Sequence, residues 1–319
     1  LNIFEFLNLS TDHRKLSNKV TQLVKHFDEV PASRKKDKKF AVQTKMDGVC
    51  ALAIVKNGKS KIFSRTGKKF VNTEDIEARI DSLHLEDSVY MGELLVPKDV
   101  ASLEEFSGCV NPNRNKPLCR EFATVPDLME MHFFDTISTE DFILGESKLP
   151  FHKRFKILNN AIINSEDIGL YTIEYSTLTT ESQIDNALSS VVSEGGEGVI
   201  IRDIEADWEA GHKGWRVMKK VRDVDYDLSC IDVEEGTGKY RGKVANLVFS
   251  WKVDKTIKCM LGKGWSHSMA EEMWNNRHDP ELSPIGKVFQ VYALEESSKG
   301  KLRLPKVGEQ RHDKNTADI

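Results

Sequence analysis

Apolar and polar positions change rhythm several times along the chain, and each change marks an element. Over residues 1 to 30 the spacing is that of a helix: behind Ser10 and Thr11, which can cap, Leu16, Val20, Leu23, Val24 and Phe27 recur at helical intervals. From Phe40 the period becomes that of strands. Val49 to Val55 is apolar, Asn57-Gly58 is a hairpin turn, and Lys61-Ile62-Phe63-Ser64-Arg65 returns, which pairs the neighbourhood of Lys45 with that of Arg65. Thr73 caps a helix marked by Ile76, Ile80 and Leu83, and the strand Val89 to Val96 follows. Residues 107 to 121, with Asn111-Pro112-Asn113 and Lys116-Pro117, read as a loop before the strand Met129 to Asp135. A helix then carries Phe151, Phe155, Leu158 and Ile162 on one face, and a strand surrounds Tyr171-Thr172-Ile173. The next helix is capped at both ends, by a Thr180 and Gln183 capping box and by Gly195-Gly196. The strand Glu197 to Arg202 and the stretch Trp215 to Lys220 complete this part.

Beyond Arg222 the grammar is strands and turns: Leu228 to Val233, Gly236-Thr237-Gly238, Val244 to Trp251, Ile257 to Leu261, a short helix near Met269 to Trp274, then Gly286 to Leu294. Five short strands predict a small barrel of the oligonucleotide-binding (OB) kind. The domain boundary falls near residue 222, giving domains 1–222 and 223–319. There is no internal repeat and no low-complexity segment.

Composition narrows the class. At 319 residues and 39% hydrophobic content the chain can bury a substantial core, and no apolar run is long enough to span a bilayer. The start, Leu1-Asn2-Ile3-Phe4-Glu5, has no secretory character, so the expectation is a cytoplasmic protein, in the host cytoplasm if viral, with no membrane partner. Five cysteines, odd in number and never spaced Cys-x-x-Cys, argue against a disulfide framework and a zinc site. A net charge of −4 does not announce a nucleic-acid binder, yet 46 basic residues can gather on one face. Gly236-Thr237-Gly238-Lys239 lacks the spacing of a P-loop.

The candidate chemistry lies in charged residues set among apolar strands. Lys45 and Asp47, in Gln43-Thr44-Lys45-Met46-Asp47-Gly48, stand at the end of an apolar run. A lysine attacks phosphorus only when unprotonated, and its reference pKa near ~10.4 makes that form scarce unless cations or burial lower it. Glu93 interrupts a strand where carboxylates are rarely buried without a partner or a role. The basic run Arg34 to Lys39 is a solvated loop suited to phosphate-backbone contacts.

In chain order these outliers are Lys45 and Asp47, Ser64-Arg65-Thr66-Gly67, Glu93, Phe134-Asp135, Glu197-Gly198, Lys219-Lys220 and Arg311-His312-Asp313-Lys314. The series resembles the motifs of ATP-dependent DNA ligases of the compact bacteriophage type, over roughly residues 30 to 319. The resemblance implies an α+β fold, a nucleotidyltransferase domain of ATP-grasp-like antiparallel sheets with helices, followed by an all-β OB barrel. It implies ATP and Mg²⁺ as cofactors, nicked double-stranded DNA as the partner, and a monomer. Lys45 would attack the α-phosphate of ATP and hold AMP as a phosphoramidate, within a nucleotide site that includes Thr44, Asp47 and Gly48.

Lys219 would face the α-phosphate, and Glu197, a hard oxygen ligand, would help hold the metal. Glu93 would bind ribose, Phe134 would stack on adenine unless it is the core member of the Phe133-Phe134 pair, and Gln43 would read the base edge. Arg65 would bind the nick 5′-phosphate, and Arg311, Asp313 and Lys314 would close over ATP to orient pyrophosphate, with a hinge near Arg222. Two positions depart from the pattern: Cys50 stands where arginine is usual and Val217 where lysine is usual. Both remove a positive charge that Arg216, Lys213 or Lys220 could replace. The alternatives are an RNA ligase or mRNA guanylyltransferase, or an OB-fold nucleic-acid-binding protein that has lost catalysis.

Overall fold

The computed structural model describes residues 1–16, 19–221, 224–252, 254–262, 264–293, 300–302, 305–314 and 316–318. The chain divides into two compact units, Leu1–Val221 and Arg222–Ile319. The hinge expected near Arg222 lies outside the described residues.

Two five-stranded sheets build the first unit. In one, the strand order is Leu23–His26, Lys213–Val221, Gly198–Asp203, Phe40–Lys45, Tyr175–Leu178; all neighbours are antiparallel except the first pair. In the other it is Lys59–Ser64, Val49–Lys56, Ser88–Leu95, Glu130–Ser138, Leu170–Thr172, with the last pair parallel. The sheets are therefore mixed, though chiefly antiparallel.

Alternation along each strand explains what covers it. Ala51, Ala53, Val55 and Ile62 face a core with Ile76 and Ile80 of helix Glu74–Ser82, Phe106 of Leu103–Val110, and Phe155 and Leu158 of Phe151–Ile162. Leu52, Ile54 and Phe63 face the opposite side, where Ile3, Phe4, Leu7 and Val20 of the N-terminal segment join Phe142 and Trp208. A third cluster packs Ile184 of helix Glu181–Ser193 on Phe40, Val42, Val199, Ile201 and Met218. That helix has the expected capping box, with Thr180 and Gln183 bonded reciprocally.

Three expectations need correction. Among the described residues of 1 to 30, α-helix is confined to Ile3–Phe6 and a single 3₁₀ turn to Phe27–Glu29: Leu23–His26 is a strand beside Lys213–Val221, because apolar positions there are satisfied by a sheet edge. Residues 107 to 121 are not all loop, since helix Leu103–Val110 runs into them behind a capping box of Ser102 and Glu105. Thr73 sits at the start of its helix without capping it; its hydroxyl donates to Glu77 Oε1 instead.

The second unit is a closed barrel in the order Val224–Glu235, Val244–Trp251, Lys255–Leu261, Lys306–Gln310, Val288–Ala293. Leu228, Leu247, Phe249, Trp251, Phe289, Val291 and Val307 fill it, and helix His267–Asn275 adds Met273. Five strands match the predicted number, but Lys306–Gln310, short and polar, is absent from the sequence reading. The predicted end of the preceding strand, Leu294, lies outside the described residues. Among the described residues no helix is long and apolar enough to cross a membrane.

Candidate active site

Lys45 ends its strand, and Met46, Asp47 and Gly48 carry the chain into the other sheet, where Val49 begins. Gly48 is required there by space: a Cβ would stand 2.7 Å from Glu93 Cγ and 2.7 Å from the Leu94 carbonyl oxygen. Pairing then assembles the chemistry. Gly198 lies opposite Lys45, Ile200 opposite both Gln43 and Lys219, and Cys50 opposite Glu93. A Cβ on Gly198 would meet the Lys220 carbonyl oxygen at 2.4 Å, so the strand carrying Glu197 packs closely because this residue has no side chain.

Lys45 Nζ donates to Glu197 Oε2 at 2.6 Å, with the Glu197 side chain 5% exposed and that of Lys45 22% exposed. A cavity of about 270 Å³ opens between the two sheets. Gln43, Thr44, Lys45, Arg65, Glu93, Phe134 and Lys219 line it; Asp47 and Gly48 belong to the crossing beside it, and Glu197 joins through Lys45. Phe133 is fully buried in the core and Phe134 is the ring turned to the cavity, which resolves the pair by alternation.

Arg65 reaches this cavity by another route than a strand pair with Lys45. The hairpin pairs Ala51 with Ser64, in the sheet that does not contain Lys45, and Arg65 stands beyond the strand in a turn. The Gly67 amide donates to the Ser64 carbonyl at 2.8 Å, and Gly67 has φ +82°, a conformation that glycine takes without strain. Arg65 is exposed at the cavity wall.

Burial pushes the Glu93 carboxyl up to about 7; Lys45 and Arg65 oppose the rise, while Glu197 and Asp47 add to it. Burial also raises the Cys50 thiol to about 12, so that it is a neutral wall. None of Arg216, Lys213 and Lys220 is a lining residue of the cavity. Arg216 pairs with Asp207 at 2.8 Å and Glu209 at 3.1 Å, and Lys220 pairs with Asp185.

Two contributions were missed by sequence reasoning. Thr21, Gln22, Leu23 and Val24 line the cavity, giving the N-terminal segment a place in the site. Arg202, buried on the strand after Glu197, also lines it and donates from Nε to Gln43 Oε1 at 3.0 Å. Its signal was the one that drew attention to Glu93: a charge inside an apolar strand.

Arg311, Asp313 and Lys314 lie in the second unit, tied to its first strand. Arg311 Nη1 donates to Asp227 Oδ2 at 2.8 Å, Lys314 Nζ also bonds that carboxylate, and Asp227 is only 4% exposed. Arg311 Nη2 donates to Asp313 Oδ2 at 2.9 Å and holds the Asp313 carboxyl down at about 2.

Cavity, lysine–carboxylate pair and barrel together define a class, a nucleotidyltransferase domain followed by an OB-like domain. Residues 16–221 match the ATP dependent DNA ligase domain and residues 235–311 the DNA ligase OB-like domain. The chain belongs to the ATP-dependent DNA ligase family. It is similar to the DNA ligase of African swine fever virus (isolate Pig/Kenya/KEN-50/1950), 26% identical over 234 residues, which are 70% of this chain and 51% of the relative. The DNA ligase of Methanosphaera stadtmanae is 21% identical over 272 residues, 85% of this chain and 47% of the relative. The chain thus spans about half the length of the curated relatives it matches.

Among solved structures, Pmar-Lig_Pre superposes with a TM-score of 0.77 at 23% identity, covering 92% of this chain and 68% of that one. A structure from a study of Lig E DNA ligases gives 0.67 at 18% identity, covering 91% and 98%. Both likenesses are of fold.

The Glu93 environment yields a pH prediction. A carboxyl raised from 4.5 to about 7 holds its proton better in the folded chain, so its stability contribution is full below the ordinary value and lost as pH climbs through about 7. Glu93→Gln, always neutral, should therefore gain on the wild type as pH rises from about 5 to about 8. Thermal unfolding of both proteins across that range measures the difference; a constant or shrinking gap would contradict the raised carboxyl.

Proposed function

We propose that this chain catalyses ATP-dependent sealing of 5′-phosphate and 3′-hydroxyl ends at nicks in duplex DNA, through a lysyl-AMP and a 5′-adenylated DNA. The observation that carries the reading is the Lys45–Glu197 pair, 2.6 Å long, at a cavity lined by Glu93, Phe134 and Lys219. Membership of the DNA ligase family favours DNA over the RNA-directed alternatives.

In the first step Lys45 Nζ forms a bond to the α-phosphorus of ATP as the bond to pyrophosphate breaks. Glu197 Oε2 holds and aims the amine, because a carboxylate at hydrogen-bond distance fixes where the nitrogen points. Lys219, on the strand two removed from that of Lys45, offers its cation to the α-phosphate. Phe134 gives adenine a ring to stack on, and Glu93 accepts ribose hydroxyls at the end of the strand facing Cys50. AMP then passes to the DNA 5′-phosphate, and the 3′-hydroxyl displaces it to form the phosphodiester.

Magnesium fits the donor set as a hard cation that would be held by one carboxylate and phosphate oxygens, with Glu197 supplying the carboxylate. Bound there it would neutralise phosphate charge. We assign the action to a monomer in the cytoplasm, with domains 1–222 and 223–319 gripping the duplex chiefly through phosphates.

Lys45→Ala should abolish the protein-AMP adduct formed with ATP and magnesium while circular dichroism stays native. An adduct of normal yield, detected by mass, would end this reading.

Arg65→Ala should spare self-adenylation and slow sealing by pre-adenylated enzyme about tenfold to a hundredfold, since a guanidinium–phosphate contact is worth roughly 1.5 to 3 kcal/mol. A defect confined to self-adenylation would remove Arg65 from the nick.

The tail is best tested by one residue at a time, because deleting it would strip Asp227 of both cations. Arg311→Met leaves Lys314 on Asp227 and should reduce adenylation by ATP at least about tenfold while sparing a nick already 5′-adenylated, by the scale of one charged hydrogen bond. Equal loss in both assays would show that the tail serves barrel folding alone.

A further inference from the structure

Gln43 lines the cavity and is 2% exposed, and both ends of its carboxamide are committed. Nε2 donates to the Ile173 carbonyl at 2.6 Å, and Oε1 accepts from Arg202 Nε at 3.0 Å. A guanidinium has donors and no acceptor, and a backbone carbonyl only accepts. Each end of the amide therefore meets a partner that tolerates one orientation. A half-turn would set NH₂ against the guanidinium and oxygen against the Ile173 oxygen, losing two buried hydrogen bonds at once.

Arg202 is itself pinned. Its guanidinium carbon lies 4.9 Å from the Phe134 ring centroid and 5.1 Å from that of Phe151. Asp135 Oδ2 is 3.9 Å from Nη1, and Asp135 is in turn gripped by Arg154 through Nε at 2.9 Å and Nη2 at 3.0 Å. Burial lowers the Arg202 guanidinium to about 10, which still leaves it charged at neutral pH.

We propose that Arg202 is a positioning residue that locks the Gln43 carboxamide with its oxygen available to a 6-amino purine, and so excludes 6-oxo purines from the nucleotide cavity. The inference rests on the proposed reading of that cavity. With one lone pair of Oε1 bound by Arg202, the second remains to accept a hydrogen bond. The 6-amino group of adenine donates, whereas the 6-oxygen of guanine or hypoxanthine is an acceptor and would face oxygen. A free glutamine could turn over and read either base. Held by Arg202 and Ile173, this one reads only the first.

The test compares self-adenylation with self-inosinylation, using ATP and inosine triphosphate with magnesium, as kcat/KM for each. Wild type should favour ATP. Arg202→Met should shrink the ratio about tenfold or more, the scale of one decisive hydrogen bond, with the efficiency for inosine triphosphate rising in absolute terms. Arg202→Lys, which keeps a donor for Oε1, should retain most of the preference. A purely structural Arg202 would lower both efficiencies together and leave the ratio unchanged, and that result overturns the proposal. Should Arg202→Met fail to fold, Gln43→Met decides: loss of the ratio supports the carboxamide as reader, and an intact ratio overturns it. A wild type that uses both nucleotides equally also overturns it. Absence of any wild-type adduct instead strikes the nucleotide-site reading on which the inference stands.

Discussion

The register between Phe40–Lys45 and Gly198–Asp203 is the constraint from which the rest of the site follows. Helix Glu181–Ser193 buries Ile184 against Phe40, Val42, Val199, Ile201 and Met218, which are the alternate residues of three neighbouring strands. Covering that face commits the other, and Gln43, Ile200, Arg202, Val217 and Lys219 line the cavity. A slip of one residue would turn Val199 and Ile201 inward and carry Glu197 away from Lys45. Apolar burial on the outer face thus sets a polar geometry on the inner one, at no cost to the inner residues' own packing.

The same division accounts for how positive charge is distributed around the cavity. Val217 is buried in the cavity wall, and Cys50 stays a neutral thiol beside Glu93. The neighbouring basic residues do different work: Arg216 holds Asp207 and Glu209, and Lys220 ties its strand to Asp185 of the covering helix. Positive charge in the cavity comes from Lys45, Arg65, Arg202 and Lys219. Of these Arg202 donates from Nε to Gln43, stands 3.9 Å from Asp135 and packs on two rings, a setting that favours orientation over phosphate neutralisation.

Much of this was legible in the sequence where a local signal coincides with the tertiary outcome. Asn57-Gly58 makes its hairpin with Asn57 at φ 52° and Gly58 at φ 70°, and the Thr180 and Gln183 box starts its helix, because turn and cap chemistry act over a few residues. The N-terminal segment misled for the opposite reason. Its apolar residues are spaced for a helix, yet Val20 is buried under the Glu93 sheet and Leu23–His26 joins a sheet edge, contacts that no local window contains. Strand Lys306–Gln310 is polar and takes its place by closing a barrel whose other strands supply the core. The route by which Arg65 reaches the cavity was hidden similarly, since Met46 to Gly48 pass between sheets that sequence alone presents as one run.

The carboxyl-terminal motif shows how a reading of charges can change once burial is known. As sequence, Arg311 to Lys314 could be a solvated run; in the fold, Arg311 and Lys314 neutralise Asp227, which is 4% exposed on the first barrel strand. The Asp227 amide in turn donates to Asp318 Oδ2 at 2.7 Å, so the tail is bonded on both sides of these cations. Stripping a buried carboxylate of its partners costs about 3 to 5 kcal/mol, more than thermal motion supplies freely. The tail is therefore held to the barrel as a fixed part of it and is not a loose end.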